Sequence, residues 1–380
     1  MILKALKYSS VWTGDWSIVS GTTDKDFVSF ENINLIVGRN ASGKTRLIDA
    51  IRWISDLLDS DSRIEVLDDE IASFELVFQN KKDEIKYNVG YDKDNLIFRE
   101  ELFVNDNVKL NRKTGKLYYE KHGDFLDFET DNEYLAISRR DSVQQPFFEV
   151  LHNWGKNLAH FSFGGSMGKG QHKSDTLKHQ EDFNFKNSNN VGATYIKGIK
   201  ENKDIFEQKI IDDMKLIDYN LDSISFDTAS KYLFIKVQES DLPNETYFQR
   251  MSQGMARAFS LIVQLNYSLM AKIPSCILID NIGEGLDYDR SKKLIELIIE
   301  KAEGSNIQVF MTTNDRFVMN SVPLKYWSVI HREGNKSVFY NYQNSKQTFD
   351  DFAFTGLNNF DFFATEFYRQ GFEEFIATTQ

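Results

Sequence analysis

Asn34-Leu35-Ile36-Val37-Gly38-Arg39-Asn40-Ala41-Ser42-Gly43-Lys44-Thr45-Arg46-Leu47-Ile48-Asp49-Ala50-Ile51 is the stretch whose reading decides the fold. Leu35 to Val37 are an apolar run of strand type, residues 38–45 spell G-x-x-x-x-G-K-T, and Leu47, Ile48 and Ile51 recur at helical spacing. Strand, glycine loop and helix in that order are the context a phosphate-binding loop requires. Gly38 and Gly43 open backbone dihedrals closed to other residues, so successive N–H groups and the N-terminus of the helix converge on one anion. Lys44 then reaches the β- and γ-phosphates of ATP, and the Thr45 hydroxyl is offered to Mg²⁺. Arg39, Asn40, Ala41, Ser42 and Arg46 complete the expected nucleotide-binding stretch. The four fixed positions recur by chance in roughly one chain of this length per hundred, and the flanking elements make coincidence rarer.

The rest of the composition bounds what such a loop serves. A chain of 380 residues has room for two lobes, or one domain with an inserted subdomain. A net charge of −12 argues against a surface coated with basic residues for nucleic acid, although a local groove is compatible with it. Cys276 is the only cysteine, which excludes a disulfide framework, a zinc ribbon and a Cys-x-x-Cys hook. The first eight residues are too short and too charged for a signal peptide, and no apolar run approaches the ~18 residues of a membrane span. A cytoplasmic protein with no membrane partner is the expectation.

Upstream of the loop, residues 2–8 alternate like a strand and residues 11–29 read as a loop or hairpin. Trp12 and Trp16 lie there, either packed in the β-layer or available to stack on adenine. Downstream, a helix runs to about Ser60, and residues 73–78, 84–89 and 95–104 alternate as an antiparallel meander that builds a side layer. A helix opens at Pro146, just after Gln144 and Gln145. Residues 163–170 are glycine-rich but lack the phosphate-loop spacing and read as a mobile loop opening a polar tract that extends to Asn190. Arg139, Arg140, Lys169, Lys173, Lys197 and Lys200 are either a nucleic-acid groove or a solvated charged face. A helix over 200–215 and strands over 223–228 and 232–238 follow.

The second informative constellation begins at Ser252. Ser252-Gln253-Gly254 heads a long helix to about Lys272, 28 residues before Asp280 at the end of the apolar strand 276–280. That strand end is where a P-loop NTPase places the acidic residue that holds Mg²⁺. Gly283-Glu284-Gly285-Leu286-Asp287 and a helix over 290–301 come next, then a strand over 307–311 that runs into Thr312-Thr313-Asn314.

Phosphate loop, S-x-G helix start, strand ending in Asp280, the Gly285-Leu286-Asp287 turn and the T-T-N strand end together resemble the ordered motifs of ABC-type ATPase heads, in the SMC, RecF and OLD-like soluble branch. The resemblance covers residues 1–60 and 245–335 well and the middle in general layout. It implies an α/β fold: a P-loop NTPase head with a mixed central sheet, an antiparallel β side layer and an inserted helical subdomain. The expected divisions are 1–138 and 246–335 as the two halves of the head, 139–245 as the insert, mainly helical, and 336–380 as a Phe-rich extension. It further implies that two copies sandwich two ATP molecules, with Ser252 and Gly254 of one closing on the γ-phosphate held by Lys44 of the other and Asp287 across the seam. Mg²⁺ is assigned to Thr45, Asp280 and Gln145; Gln144 or Gln145 is either the glutamine that contacts metal and attacking water in such ATPases or a surface polar residue.

Two positions depart from those relatives. The general base Glu that follows the Mg²⁺ aspartate is here Asn281, and the His that ends the last strand is Asn314. A carboxylate accepts a proton from water and a carboxamide does not, although Glu284, three residues on, is a second candidate base. Slow hydrolysis follows, and with it an ATP-governed switch that controls a separately encoded effector, in a phage-defence or toxin–antitoxin-like module by resemblance. The alternatives are a RecF-like DNA repair ATPase, which needs a basic groove, and a non-hydrolysing scaffold. The Phe-rich tail, residues 349–363, either packs on the head or docks another protein.

Overall fold

All six residues of the strand Ile33–Gly38 are buried, as are all six of Ser275–Asp280 and all seven of Ile307–Thr313. Continuous apolar burial of this kind marks strands covered on both faces. The computed structural model describes residues 1–11, 16–21, 27–61, 63–64, 71–163, 172–173, 191–227, 232–273 and 275–372. By contacts the chain forms two compact units, Met1–Lys156 with Pro323–Gln380, and Asn157–Val322. The divisions expected at 138, 245 and 335 differ from the boundaries of these units, which fall after Lys156 and Val322.

In the first unit, Ile33–Gly38 pairs parallel with Trp327–Glu333, which pairs antiparallel with Lys336–Asn341. Lys336–Asn341 runs parallel to Trp16–Ser20, itself the second arm of a hairpin with Ile2–Val11. From Ile2–Val11 the sheet continues antiparallel through Ile71–Asn80, Asp83–Tyr91 and Ile97–Val104. The burial pattern of Ile71–Asn80, strictly alternating from Ala72 to Phe78, is the period-two signal by which the meander was expected. The meander goes further than residue 104, through Asn107–Asn111, Lys116–Tyr119 and the fully exposed edge Asp124–Asp127. The helix Lys44–Asp59 lies against the helix Pro146–Lys156 at close range. Ser55 Oγ donates to the Gly155 carbonyl at 3.1 Å, and a Cβ on Gly155 would stand 2.7 Å from the Ser55 carbonyl. Phe349, Phe352, Phe362 and Phe367 of the tail are buried, with Phe362 against Trp327 and Phe349, so the tail packs on its own unit, while Phe354 stays 84% exposed.

Glu100 anchors the meander. It is buried, accepts from the Tyr87 hydroxyl, the Ala136 N–H and Arg112 Nη1, each at 2.9 Å, and burial still pushes its carboxyl above the usual range. A carboxyl whose folded pKa is raised gives stability that is complete below the unfolded pKa and lost as pH rises through the folded one. Glu100→Gln keeps an acceptor for the same donors but cannot titrate. In thermal melts from pH 4 upward the parent should therefore lose stability relative to Glu100→Gln as pH rises. A difference that stays constant or grows in the other direction would refute this account of Glu100.

In the second unit, Leu158–Ser162, Ser275–Asp280 and Ile307–Thr313 form a parallel sheet. Its helices are Val191–Leu216, Gln253–Met270, Tyr288–Ala302 and Arg316–Ser321. Asp213, Asn266 and Lys301 tie the first three: Asn266 Nδ2 and Lys301 Nζ both reach Asp213 Oδ2, at 2.5 and 2.8 Å. The described residues of the stretch 139–245 hold strands as well as helices. Besides two helices it supplies the strand Leu158–Ser162 and an antiparallel pair, Leu221–Asp227 with Tyr232–Glu239. The antiparallel pair matches the strands expected over 223–228 and 232–238, whereas the strand Leu158–Ser162 was not expected.

Candidate functional site

In the first unit the phosphate loop has the geometry its residues demand. Gly43 is the N-cap of Lys44–Asp59 at φ +108°, a region that favours glycine. A Cβ there would lie 2.3 Å from Ser337 Oγ and 3.1 Å from the Trp16 ring. At Gly38 a Cβ would stand 2.5 Å from Ser42 Oγ and 2.8 Å from the Ile330 carbonyl. Ala41 takes φ +61° without being glycine. Lys44 is buried, and its Nζ donates to the carbonyls of Gly38 at 2.7 Å and Arg39 at 3.0 Å. Ser337 Oγ donates to the Ser42 carbonyl at 2.6 Å and fixes the loop from the neighbouring strand.

The loop fits an anion by its own chemistry. Ser42 Oγ is buried with no hydrogen-bond partner, and beside it stand an ammonium and the opening N–H groups of a helix. A buried hydroxyl left unmatched in such a cradle is satisfied by a phosphate oxygen.

The structure sorts the flanking residues. Trp16 is buried edge-on to Tyr8 with centroids 5.8 Å apart, and the Arg46 guanidinium lies 5.0 Å over its ring. Trp16 is thus the packed alternative, whereas Trp12 lies outside the described residues. Arg39, exposed, pairs with Glu366 of the C-terminal extension at 2.7 Å. Asn40 and Thr45 are exposed on the loop. Gln145 is buried, and its Oε1 accepts from the Asp141 N–H at 3.1 Å, closing the turn before Pro146–Lys156. Of the two glutamines it is Gln144 whose side-chain oxygen is buried with no hydrogen-bond partner. Arg140 pairs with Asp61 and Glu149, which favours the solvated-face reading of that basic position. Lys169 and the rest of the tract at 164–171 and 174–190 lie outside the described residues.

In the second unit, Asp280 is buried at its strand end, and Thr312 Oγ1 donates to its Oδ1 at 2.5 Å. The same Thr312 oxygen accepts from the Asn281 N–H at 2.9 Å, so one threonine fixes both residues. Asn281 sits at φ +58°, a left-handed conformation that Asn tolerates better than most residues. Asn314, exposed, directly follows the strand Ile307–Thr313.

Ser252 is exposed and caps Gln253–Met270, its Oγ accepting from the Met255 N–H at 3.2 Å. Gly254 is buried for an internal reason: a Cβ there would meet the Gly285 carbonyl at 2.4 Å. The S-x-G start and the turn 281–287 are therefore in direct contact. Arg257, one helical turn on and 2% exposed, strengthens that contact by donating from Nη1 to the Glu284 carbonyl at 2.7 Å. Glu284 itself is exposed. Asp287 caps Tyr288–Ala302, bonded to the Arg290 N–H at 3.0 Å and to its guanidinium at 2.7 Å, which holds the carboxyl below its usual range. Arg257 was missed in sequence; its signal is a lone charge inside the apolar run from Met255 to Leu265.

A glycine cradle behind a buried strand, with an acidic strand end and an S-x-G helix start in the other unit, defines a P-loop domain of the ABC-type head fold. The solved structures agree. The chain is similar to the SMC head of "Crystal structure of the SmcHead bound to the C-winged helix domain of ScpA", at 15% identity over 89% of this chain and 97% of that one, TM-score 0.52. It is also similar to an SMC head with an extended coiled coil, bound to the C-terminal domain of ScpA derived from Pyrococcus furiosus, at 13% identity over 93% and 99% of the two chains, TM-score 0.51. At such identity these likenesses show the fold. The chain belongs to the family described as "AAA domain, putative AbiEii toxin, Type IV TA system", whose model matches residues 33–320. No curated protein matches it. Among the described residues no helix is long and apolar enough to cross a membrane, and no cluster of three or more His, Cys, Asp and Glu side chains could hold a metal ion.

Proposed function

We propose that this protein binds ATP, pairs with a second copy of itself around the nucleotide, and acts as a slow ATPase switch for a separately encoded effector. The observation that carries the pairing is Ser252, exposed at the mouth of a helix whose next residues are buried against the 281–287 turn. A capped helix N-terminus presented outward favours an anion, and the phosphates held by the phosphate loop of another copy would supply one. In this reading Gly38, Ser42, Gly43, Lys44 and Thr45 would hold the phosphates, Thr45 and Asp280 are the residues proposed for Mg²⁺ by resemblance, and the metal would supply charge neutralisation at the γ-phosphate. Gln144, whose side-chain oxygen has no hydrogen-bond partner, is left available for the glutamine's role at metal and water, because Gln145 commits its own oxygen to the Asp141 N–H. The carboxamide at 281 supports slow turnover, because it orients water without accepting its proton. The family description, with its type IV toxin–antitoxin system, supports a toxin–antitoxin setting.

Ser252→Arg tests the pairing. The variant should bind ATP as the parent does and lose ATP-dependent association, measured by light scattering at increasing ATP. The same ATP-dependent mass in variant and parent would remove the sandwich.

A further inference from the structure

The second residue of the phosphate loop, Arg39, is tied to a part of the chain that phosphate binding does not require. Its carbonyl belongs to the cradle and accepts from Lys44 Nζ at 3.0 Å, while its side chain is 69% exposed and donates from Nη2 to Glu366 Oε1 at 2.7 Å. Among the described residues Glu366 is the one side chain hydrogen bonded to that guanidinium. The loop does not need the contact for its own shape. Ser337 Oγ holds the Ser42 carbonyl at 2.6 Å, Arg332 Nη1 holds the Ala41 carbonyl at 3.3 Å, and Gly38 is in register with Ile330 of the neighbouring strand.

Glu366 is set against the preference of its backbone. It sits at φ +56°, in the turn between the helix Asn359–Ala364 and a helix over 367–372, where glycine or asparagine is the easier residue. Its N–H donates to the Phe363 carbonyl at 3.1 Å and its carbonyl accepts from the Arg369 N–H at 2.9 Å, which closes the turn on both sides. Phe362 and Phe367, both fully buried, anchor the two flanking helices. The carboxylate is thus held out by a fixed turn. Its Oε1 takes Arg39 and its Oε2 takes Arg369 Nη1 at 3.2 Å, so departure of Arg39 leaves it still paired.

We propose that Glu366 of the C-terminal extension is an autoinhibitory carboxylate that occupies Arg39 of the phosphate loop and lowers the affinity of the loop for a nucleoside triphosphate. The inference rests on the nucleotide-binding reading above and is independent of pairing. An ion pair made by so exposed an arginine is weak, whereas phosphate oxygens accept charge-assisted, often bidentate bonds from a guanidinium. A triphosphate in the cradle therefore takes Arg39 from Glu366, and its affinity is lower by the bond it displaces.

Calorimetric titration of the full chain with a non-hydrolysable ATP analogue and Mg²⁺, at low ionic strength where exposed charges are least screened, measures the competition. Glu366→Gln keeps the size of the side chain and loses its charge, and it should bind the analogue roughly two- to fivefold more tightly than the parent, the factor an exposed ion pair contributes. Arg39→Ala should bind it more weakly, and Glu366→Gln should add nothing in that background. Glu366→Asn, better suited to the left-handed turn, carries the same test if the glutamine variant melts below the parent. Parent-like or weaker binding by both Glu366 variants overturns the inference alone, as does unweakened binding by Arg39→Ala. An equal gain from Glu366→Gln in the Arg39→Ala background also overturns it, because the carboxylate would then act by general repulsion of phosphate. A parent that does not bind the analogue overturns the nucleotide reading, and the inference with it.

Discussion

Lys44→Ala should lower ATP affinity by about 2–4 kcal/mol, some thirty- to a thousandfold, the cost of truncating one partner of a buried charged hydrogen bond. The magnitude follows from where the ammonium sits. Lys44 is 8% exposed and rests on the carbonyls of Gly38 and Arg39 inside its own loop. Those are neutral acceptors. A triphosphate offers charged ones, whose hydrogen bonds to an ammonium are roughly twice as strong, so nucleotide wins Lys44 from the loop. Without it, two carbonyls lose a donor and the phosphates lose the charge, while the strand Ile33–Gly38 and the helix Lys44–Asp59 keep their packing. Calorimetric titration with ATP, beside circular dichroism of the variant, measures both. Unchanged affinity in a folded Lys44→Ala protein would remove the nucleotide claim.

The strands that carry the motifs of each unit were legible in sequence because local pattern and burial agree in them. Ile33–Gly38, Ser275–Asp280 and Ile307–Thr313 are apolar runs that become fully buried strands, and Ile71–Asn80 alternates as its sheet face does. The strands beyond residue 104 escaped notice for the opposite reason. Asp124–Asp127 is exposed on both faces, so its sequence carries no alternation to read. Site contacts that join distant parts of the chain were equally invisible. Arg39 meets Glu366 across 327 positions, and Ser337 holds the Ser42 carbonyl across 295. Nothing local marks either pair. Gly254 shows a subtler limit. The S-x-G motif drew attention to it as a nucleotide contact, whereas the structure supplies an internal reason for glycine, the carbonyl of Gly285.

Asn281→Glu should raise ATP turnover by about 10²–10⁴, the usual worth of a positioned base, and lower stability by roughly 1 kcal/mol, the cost of a left-handed conformation for a residue less tolerant of it than Asn. Both effects come from one backbone. Thr312 Oγ1 bonds the Asn281 N–H and Asp280 Oδ1 together, so the backbone at 281 is held next to Asp280 whatever side chain it carries. The native carboxamide accepts no proton there, and the φ of +58° explains why it is well tolerated. Glu284 is the competing base. Its carbonyl is held by Arg257, but its side chain is exposed, so it must be tested by chemistry rather than by burial. If Glu284 is the base, Glu284→Gln abolishes a native rate of ordinary size and Asn281→Glu adds nothing to it. If residue 281 serves only the turn, Asn281→Glu lowers the melting temperature without changing turnover. Steady-state phosphate release from the parent, Asn281→Glu, Asn281→Ala and Glu284→Gln, with a thermal melt of each, separates these outcomes. Fast native turnover that survives Asn281→Ala would end the slow-switch reading, and the absence of any phosphate release from the parent would make the protein an ATP-bound scaffold instead.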